Sequence, residues 1–250
     1  MKTANCDTSP CFPFWVVRIV AFCGFGFVAP GVRCEDKPVA VQSAEARSVA
    51  DEKELASYRS TIETLDSSNE TKSLVAAMET LRKSYPKCRP VLLEGLKSSS
   101  IKLKCFALQL IGEQGTAAED LEVVAQSLKD AKPRVRLAAV MALRRLGREG
   151  FKALCEYLPA ETDSNNRKMA IKSFQTWNAT EAVPLLVELL EKEKEKTVRN
   201  FTVTALEVLT ERKLGDNLGA WKTYLEGQRM SEQAKGLNDL RTKNLVKEKP

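Results

Sequence analysis

Residues 130–147, DAKPRVRLAAVMALRRLG, contain the pattern that decides the fold. Counted from Arg136, apolar residues follow at three, four, seven and ten positions, namely Ala139, Val140, Leu143 and Leu146. An α-helix turns once in about 3.6 residues, so this spacing places them on one side of a helix. Pro133 suits the first turn of that helix, and Gly147 suits its end. The stretch is therefore predicted to be an amphipathic helix that follows a polar turn.

The same pattern recurs along the chain at a nearly constant interval. Helices of this design are anchored at Thr71, Lys104, Arg136, Arg167 and Arg199, at intervals of 33, 32, 31 and 32 residues. Another apolar segment precedes each of them, at 55–65, 91–96, 121–128, 151–158 and 183–190. Each repeat is thus predicted to be a helical hairpin that buries both apolar stripes only against its neighbours. The expected fold is an all-α solenoid of about five antiparallel helical hairpins.

The third copy resembles a known repeat family. Residues 128–130, the pair Val135 and Arg136, and the alanine-rich positions that follow are similar to the turn and second helix of HEAT-like repeats, including the short bacterial class named after phycobilisome lyases. The resemblance covers residues 51–212. It implies a right-handed superhelix whose second helices line a concave face.

The resemblance also implies a polar ladder along the solenoid. Repeats of this family commonly place an Asp in the turn before the Arg that opens the second helix. Asp130 and Arg136 match that pair, and Asp66 and Asp163 occupy similar turns. Because the other copies lack the acid, we expect an interrupted ladder. Arg136 and Arg199 are assigned structural roles, since a guanidinium can bond two turn carbonyls or a carboxylate at once.

The segments outside the repeats predict an exported protein. Lys2 and Arg18 precede an apolar run at 19–32, which is the pattern of a signal peptide. The run is shorter than the roughly 20 residues that span a bilayer. We expect a signal peptide at 1–34 and a linker at 35–50, with the mature chain periplasmic or secreted. A retained, uncleaved leader that anchors the chain in the membrane is the alternative, and the cleavage site stays open.

The C-terminal residues are predicted to close the stack. Residues 213–227 include Trp221 and are similar to the Trp-containing ending of some secreted HEAT-repeat proteins. We expect this segment to be a cap in which Trp221 covers the last exposed apolar face. Residues 228–250 are predicted to be a polar tail, either helical or disordered.

The composition argues against catalysis. The chain has no histidine, which excludes Ser-His-Asp and Cys-His devices and most zinc and haem sites. No Walker loop, dinucleotide fingerprint or metal-ligand spacing is present. We therefore predict a protein that is not an enzyme and that needs no cofactor or metal. Cys88, Cys105 and Cys155 are interpreted as small buried hydrophobes.

The most distinctive charge feature lies between the third and fourth copies. Residues 129–152 hold eight basic and two acidic residues. Five basic residues are the candidate partner-binding positions on the concave face, namely Arg144, Arg145, Arg148, Lys168 and Lys172. A basic groove of this kind could hold a phosphate chain, an acidic polysaccharide or an acidic protein segment. An ordinary solvated helix face remains the simpler interpretation.

The sequence predicts a protein-interaction scaffold of the cell envelope or secretome. One alternative is a nucleic-acid-binding or DNA-repair HEAT-repeat protein, although the scarcity of interleaved aromatic residues disfavours nucleic acid. Another alternative, a chromophore lyase-like protein, follows only from the name of the repeat class. The identity of the partner and the oligomeric state stay open.

Overall fold

The described part of the chain consists of helices and their connections. The computed structural model describes the backbone of residues 39–247 and the side chains of residues 51–237. No strand occurs among these residues, and the α-helices are α1 Val39–Ser67, α2 Thr71–Lys83, α3 Arg89–Leu96, α4 Ile101–Gln114, α5 Ala117–Gln126, α6 Pro133–Leu146, α7 Phe151–Tyr157, α8 Ser164–Thr176, α9 Val183–Lys192, α10 Lys196–Thr210 and α11 Leu218–Lys247. The all-α prediction is therefore confirmed.

The chain divides into two compact units, residues 1–45 and 46–250. Of the first unit, only the beginning of α1 is described, and the predicted signal peptide lies outside the described residues. Residues 39–50, expected as linker, form the start of α1. Among the helices that the structure describes, none has the length and apolar character needed to cross a membrane. The second unit contains the rest of α1 and the helices α2 to α11.

The helices of this unit stack as repeated hairpins. The second helices α2, α4, α6, α8 and α10 contain the five anchors of the sequence pattern, and each packs against the next in that order. The first helices α3, α5, α7 and α9 alternate with these second helices along the chain. The C-terminal helix α11 packs against α9. This arrangement confirms the solenoid, because each hairpin completes its core with its neighbours.

The buried side chains follow the sequence pattern in the middle of the stack. Ala139, Val140 and Leu143 of α6 are fully buried. Val75 of α2, at the position equivalent to Val140, is 62% exposed instead. The predicted burial of Val75 was wrong. The helix α2 is the first of the five second helices, so it has a second-helix neighbour on one side only.

Small residues let α4 and α6 approach closely. A Cβ atom added at Gly112 would lie 2.6 Å from the Cα atom of Ala142. Contacts of real side chains are never so short, so this crossing requires glycine. At the end of α6, Gly147 adopts φ 122°, which an L side chain rarely adopts. The helix therefore ends there, as predicted, and residues 148–150 form a short 3-10 turn.

Candidate partner-binding surface and the inter-repeat ladder

A row of ion pairs connects successive hairpins. In each pair, a basic residue near the start of a second helix contacts a carboxylate that belongs to the following repeat or, at the end, to the segment before α11. The pairs are Lys104–Asp130, Arg136–Glu161, Arg167–Glu193 and Arg199–Asp216. The N–O distances in the first three pairs are 2.7, 2.7 and 2.8 Å. The ladder therefore runs without interruption from α4 to the segment before α11.

Each arginine of the ladder also closes the turn of its own hairpin. The Arg136 guanidinium donates hydrogen bonds to the carbonyl oxygens of Asp130 and Ala131, at 3.0 and 3.2 Å. Arg167 donates in the same way to the carbonyls of Glu161 and Thr162, at 3.3 and 2.8 Å. One guanidinium thus fixes a turn and joins it to the next repeat, which its planar set of five donors allows.

The carboxylates are held by the backbone as well. Asp130 accepts a hydrogen bond from the backbone N–H of Lys132 at 2.8 Å, and Glu161 accepts one from that of Asp163 at 2.7 Å. Glu193 accepts the equivalent bond from Glu195 at 2.9 Å. The acid in each turn is therefore a structural part of the turn and not a free surface charge.

These contacts correct the predicted ladder. The carboxylate of Asp130 pairs with Lys104, while Arg136 contacts only the carbonyl of Asp130 and takes Glu161 as its acid. Asp163 caps α8 by accepting hydrogen bonds from backbone N–H groups. Asp66 accepts a hydrogen bond from the Ser100 hydroxyl. The expected interruption was wrong, because the second and third acids of the ladder are glutamates, Glu161 and Glu193.

The sequence contained a signal for the correct acids. Asp130, Glu161 and Glu193 each precede the arginine that opens the following helix by six residues. A search for either acid at this spacing finds the ladder, whereas a search for Asp alone selects Asp163.

Glu161 is the most strongly perturbed acid in the ladder. Its side chain is fully buried. Burial alone raises the pKa of a carboxyl group, but hydrogen bonds from Arg136, the Asp163 backbone and Asn166 outweigh this effect and lower the pKa of Glu161 to about 2. The Tyr157 hydroxyl donates a further hydrogen bond to the carboxylate. Glu161 is thus held in its charged form as part of the fold.

A cavity with a volume of about 770 Å³ lies between the first helices α5 and α7. The small side chains of Ala125, Ala153 and Ala160 leave this space open. The Arg136–Glu161 pair also lines it. These two charges already bind each other.

The five candidate partner-binding residues do not form a single strip. We call the exposed side of α2, α4, α6, α8 and α10 the second-helix face. On this face Arg145 turns towards α4, where it lies 3.7 Å from Glu113. Arg144 turns towards α8, where its Nη1 atom lies 3.3 Å from the Met169 sulfur. Adjacent residues on a helix are about 100° apart, which separates the two arginines.

Arg148 lies outside this face. It was expected on the polar side of the second helix, but α6 ends at Leu146 and Arg148 begins the 3-10 turn that follows. Its guanidinium pairs with Glu181 and donates a hydrogen bond of 3.2 Å to the carbonyl oxygen of Trp177. Arg148 therefore connects two hairpins at their edge.

Lys168 and Lys172 lie one turn apart on α8, beside Met169. Lys168 is half-buried and Lys172 is exposed. Within residues 51–237, neither lysine forms an ion pair, and neither does Arg144. These three residues form the basic part of the second-helix face between α6 and α8.

A groove on this face lies between α4 and α6, with a volume of about 240 Å³. We call it the α4–α6 groove, and it is lined by Cys105, Gln109, Arg134, Leu137, Ala138, Met141 and Arg145. Sequence reasoning missed this groove as a site. Leu137 and Met141 of α6 fall outside its buried stripe. Apolar side chains on a polar helix face indicate a contact surface, so these two residues could have revealed the groove from the sequence.

The cysteines form no metal or disulfide site among the described residues. Cys88, Cys105 and Cys155 are unpaired, and no group of three or more Cys, Asp and Glu residues there could hold a metal ion. Cys88 is fully buried, and burial raises the pKa of its thiol to about 11. Its thiol is therefore protonated near neutral pH.

Trp221 of α11 is also fully buried. Its indole N–H donates a hydrogen bond of 2.9 Å to the carbonyl oxygen of Gly215, and its ring meets that of Tyr224 edge-on. Lys222, the next residue, pairs with Glu191 of α9. The role of this segment as a cap stays a prediction.

The comparisons with known proteins agree with the observed repeats. A family model described as HEAT repeats matches residues 89–158, which include α3 to α7. No curated protein matched the chain. The matched segment and the stacked hairpins on both sides of it fit a HEAT-like repeat protein.

Proposed function

We propose that this protein is a non-catalytic scaffold that binds an acidic protein on its second-helix face. HEAT repeats generally mediate protein interactions, and stacked repeats offer an extended surface for a partner. A scaffold needs a surface whose charges are not already satisfied within the fold.

The distribution of charge partners supports the second-helix face as that surface. The arginines of the ladder are all neutralised by carboxylates of neighbouring turns. Arg144, Lys168 and Lys172, in contrast, have no carboxylate partner within residues 51–237. Unpaired cations on a protein surface favour binding of an acidic surface and accelerate its association.

A charge-reversal pull-down tests this proposal. The full chain is immobilised and incubated with envelope and culture-fluid extracts at low and high salt, and bound proteins are identified by mass spectrometry. The test variant carries Arg144→Glu, Lys168→Glu and Lys172→Glu. The control variant carries Lys129→Glu, Lys152→Glu and Lys192→Glu, which change the charge by the same amount on exposed positions outside the second-helix face.

An acidic protein that is captured by the natural chain and the control, but lost from the test variant and at high salt, is the expected result. Capture that is equal for both variants contradicts the assignment of the surface. Retention of duplex DNA by the natural chain, in preference to any protein, would favour the nucleic-acid-binding alternative.

Export is part of the proposed function. The basic N-terminal residues and the apolar run at 19–32 support it, since this pattern is that of a signal peptide. Cell fractionation with N-terminal sequencing tests it, and a chain that begins near residue 35 in the periplasm or medium is expected. A full-length chain in the membrane fraction indicates a retained leader, and a full-length chain in the cytoplasm contradicts export.

A further inference from the structure

The α4–α6 groove combines an apolar floor with a cation at each end. Leu137, Ala138 and Met141 of α6 are half-buried and line the groove, together with Cys105 of α4. These side chains are apolar and still reach solvent on a helix face that is otherwise polar. Methionine adapts its shape easily to a bound side chain. The floor therefore suits an apolar anchor from a partner.

The two cations lie at opposite ends of this floor. Arg134 stands at the start of α6 and Arg145 near its end, eleven residues further along the helix. At 1.5 Å of rise per residue, their Cα atoms are roughly 16 Å apart along the helix axis. An extended peptide advances about 3.3 Å per residue, so about five residues span the same distance.

Both arginines are available to a ligand. Arg134 is exposed and forms no ion pair within residues 51–237. Among residues 51–237, the ion-pair partner of Arg145 is Glu113, at 3.7 Å. Glu113 already accepts hydrogen bonds from Arg82 at 2.8 Å and from Gln109 at 3.0 Å. Arg145 can therefore turn to a new carboxylate without leaving Glu113 unpaired.

We infer that the α4–α6 groove binds an extended segment of an acidic protein in which an apolar side chain lies between two carboxylates about five residues apart. The carboxylates pair with Arg134 and Arg145, and the apolar side chain enters the space over Leu137 and Met141. The inference rests on the proposed function, because it specifies what the scaffold recognises. The groove lies on the second-helix face, beside the basic part between α6 and α8.

Fluorescence anisotropy with synthetic peptides and the full chain tests the inference. The probe is fluorescein-Glu-Ser-Gly-Leu-Ser-Glu-amide, in which the two glutamates are five residues apart. Three control peptides replace the leucine by serine, replace both glutamates by glutamine, or bring the two glutamates next to each other. We expect each control peptide to bind at least about tenfold more weakly, because each loses one of the matched contacts.

Protein variants test whether the probe binds in the α4–α6 groove. Arg134→Glu and Arg145→Glu should each lower the affinity for the probe at least about tenfold. Arg134→Lys should retain most of the affinity because it keeps the charge. The matched control pair Lys129→Glu and Lys152→Glu should leave the affinity within about twofold, because both lysines are exposed and lie outside the second-helix face. Circular dichroism of every variant verifies that it is folded.

Protection of Cys105 gives an independent readout, because its thiol lines the groove. Saturating probe should slow alkylation of Cys105 and leave alkylation of Cys155 unchanged. No binding of the probe, or equal binding of all four peptides, overturns the inference. Binding of the probe that is unchanged by Arg134→Glu and by Arg145→Glu also overturns it while leaving the scaffold proposal intact.

Discussion

Arg136 and Glu161 are 25 residues apart in the chain, yet two hydrogen bonds of 2.8 and 2.7 Å join their side chains. Arg136 opens the second helix of one hairpin, and Glu161 lies in the turn of the next. The contact between the two side chains is bidentate. Because the Glu161 side chain is fully buried, this ion pair is the most enclosed one in the ladder. Cohesion between neighbouring repeats therefore depends on specific charges as well as on the apolar core.

Replacement of Arg136 by alanine should destabilise the protein strongly. Arg136→Ala leaves the Glu161 charge buried without its partner, and such a change costs about 3–5 kcal/mol in the free energy of unfolding. Urea denaturation monitored by circular dichroism measures this cost. Arg59→Ala is the matched control, because it removes an exposed ion pair to Glu94 and should cost far less. Equal losses would contradict a structural role for the ladder.

The contribution of Glu161 should disappear in acid. Its pKa is lowered to about 2 in the folded chain from an ordinary value of 4.5. The stabilisation is therefore fully present above pH 4.5 and is lost as the pH falls towards 2. The difference in unfolding free energy between the natural chain and Glu161→Gln should shrink over this window. A difference that stays constant from pH 6 to pH 2 would contradict this assignment.

A methyl group added at Gly112 should push α4 and α6 apart. Gly112→Ala places a Cβ atom 2.6 Å from the Ala142 backbone. The resulting clash should cost about 2 kcal/mol net, although alanine by itself favours a helix. Gly227→Ala is the control, because no atom lies within 4 Å of its added Cβ, and it should stabilise α11 slightly. The unfolding temperatures of the two variants are compared. A Gly112→Ala variant that unfolds at the same temperature as the natural chain would contradict the close packing.

Truncation of Trp221 should loosen the C-terminal end of the stack. Trp221→Ala removes a fully buried indole, which costs about 3–5 kcal/mol. If the segment is a cap, hydrogen exchange should show lost protection in α9 and α10 and unchanged protection in α4 and α6. Uniform loss of protection along the chain would instead indicate a global role for Trp221 and contradict the cap.

The three described cysteines should differ in reactivity. Cys88 is fully buried with a thiol pKa of about 11, whereas Cys105 and Cys155 are half-buried. Iodoacetamide at pH 8 followed by mass spectrometry should therefore modify Cys88 last, because the thiolate is the reactive form. After unfolding in urea, all three should react at similar rates. Rapid modification of Cys88 in the folded chain would contradict its burial.

The sequence by itself determined the second helices and their period. The anchors at Lys104, Arg136, Arg167 and Arg199 all fall in the observed helices. This was possible because the helical period is a local property that apolar residues record directly. The end of α6 at Gly147 is local in the same sense, since its positive φ favours glycine.

Only the tertiary structure decided which charges meet. Arg144 and Arg145 are neighbours in the sequence, but they turn towards α8 and α4, and Arg148 joins Glu181 at the edge of two hairpins. Likewise, the carboxylate that pairs with Arg136 is that of Glu161 in the next repeat and not that of Asp130, which is nearer in the sequence. These pairings depend on how one hairpin sits on the next. That placement results from packing between residues about 30 positions apart, which no local pattern records.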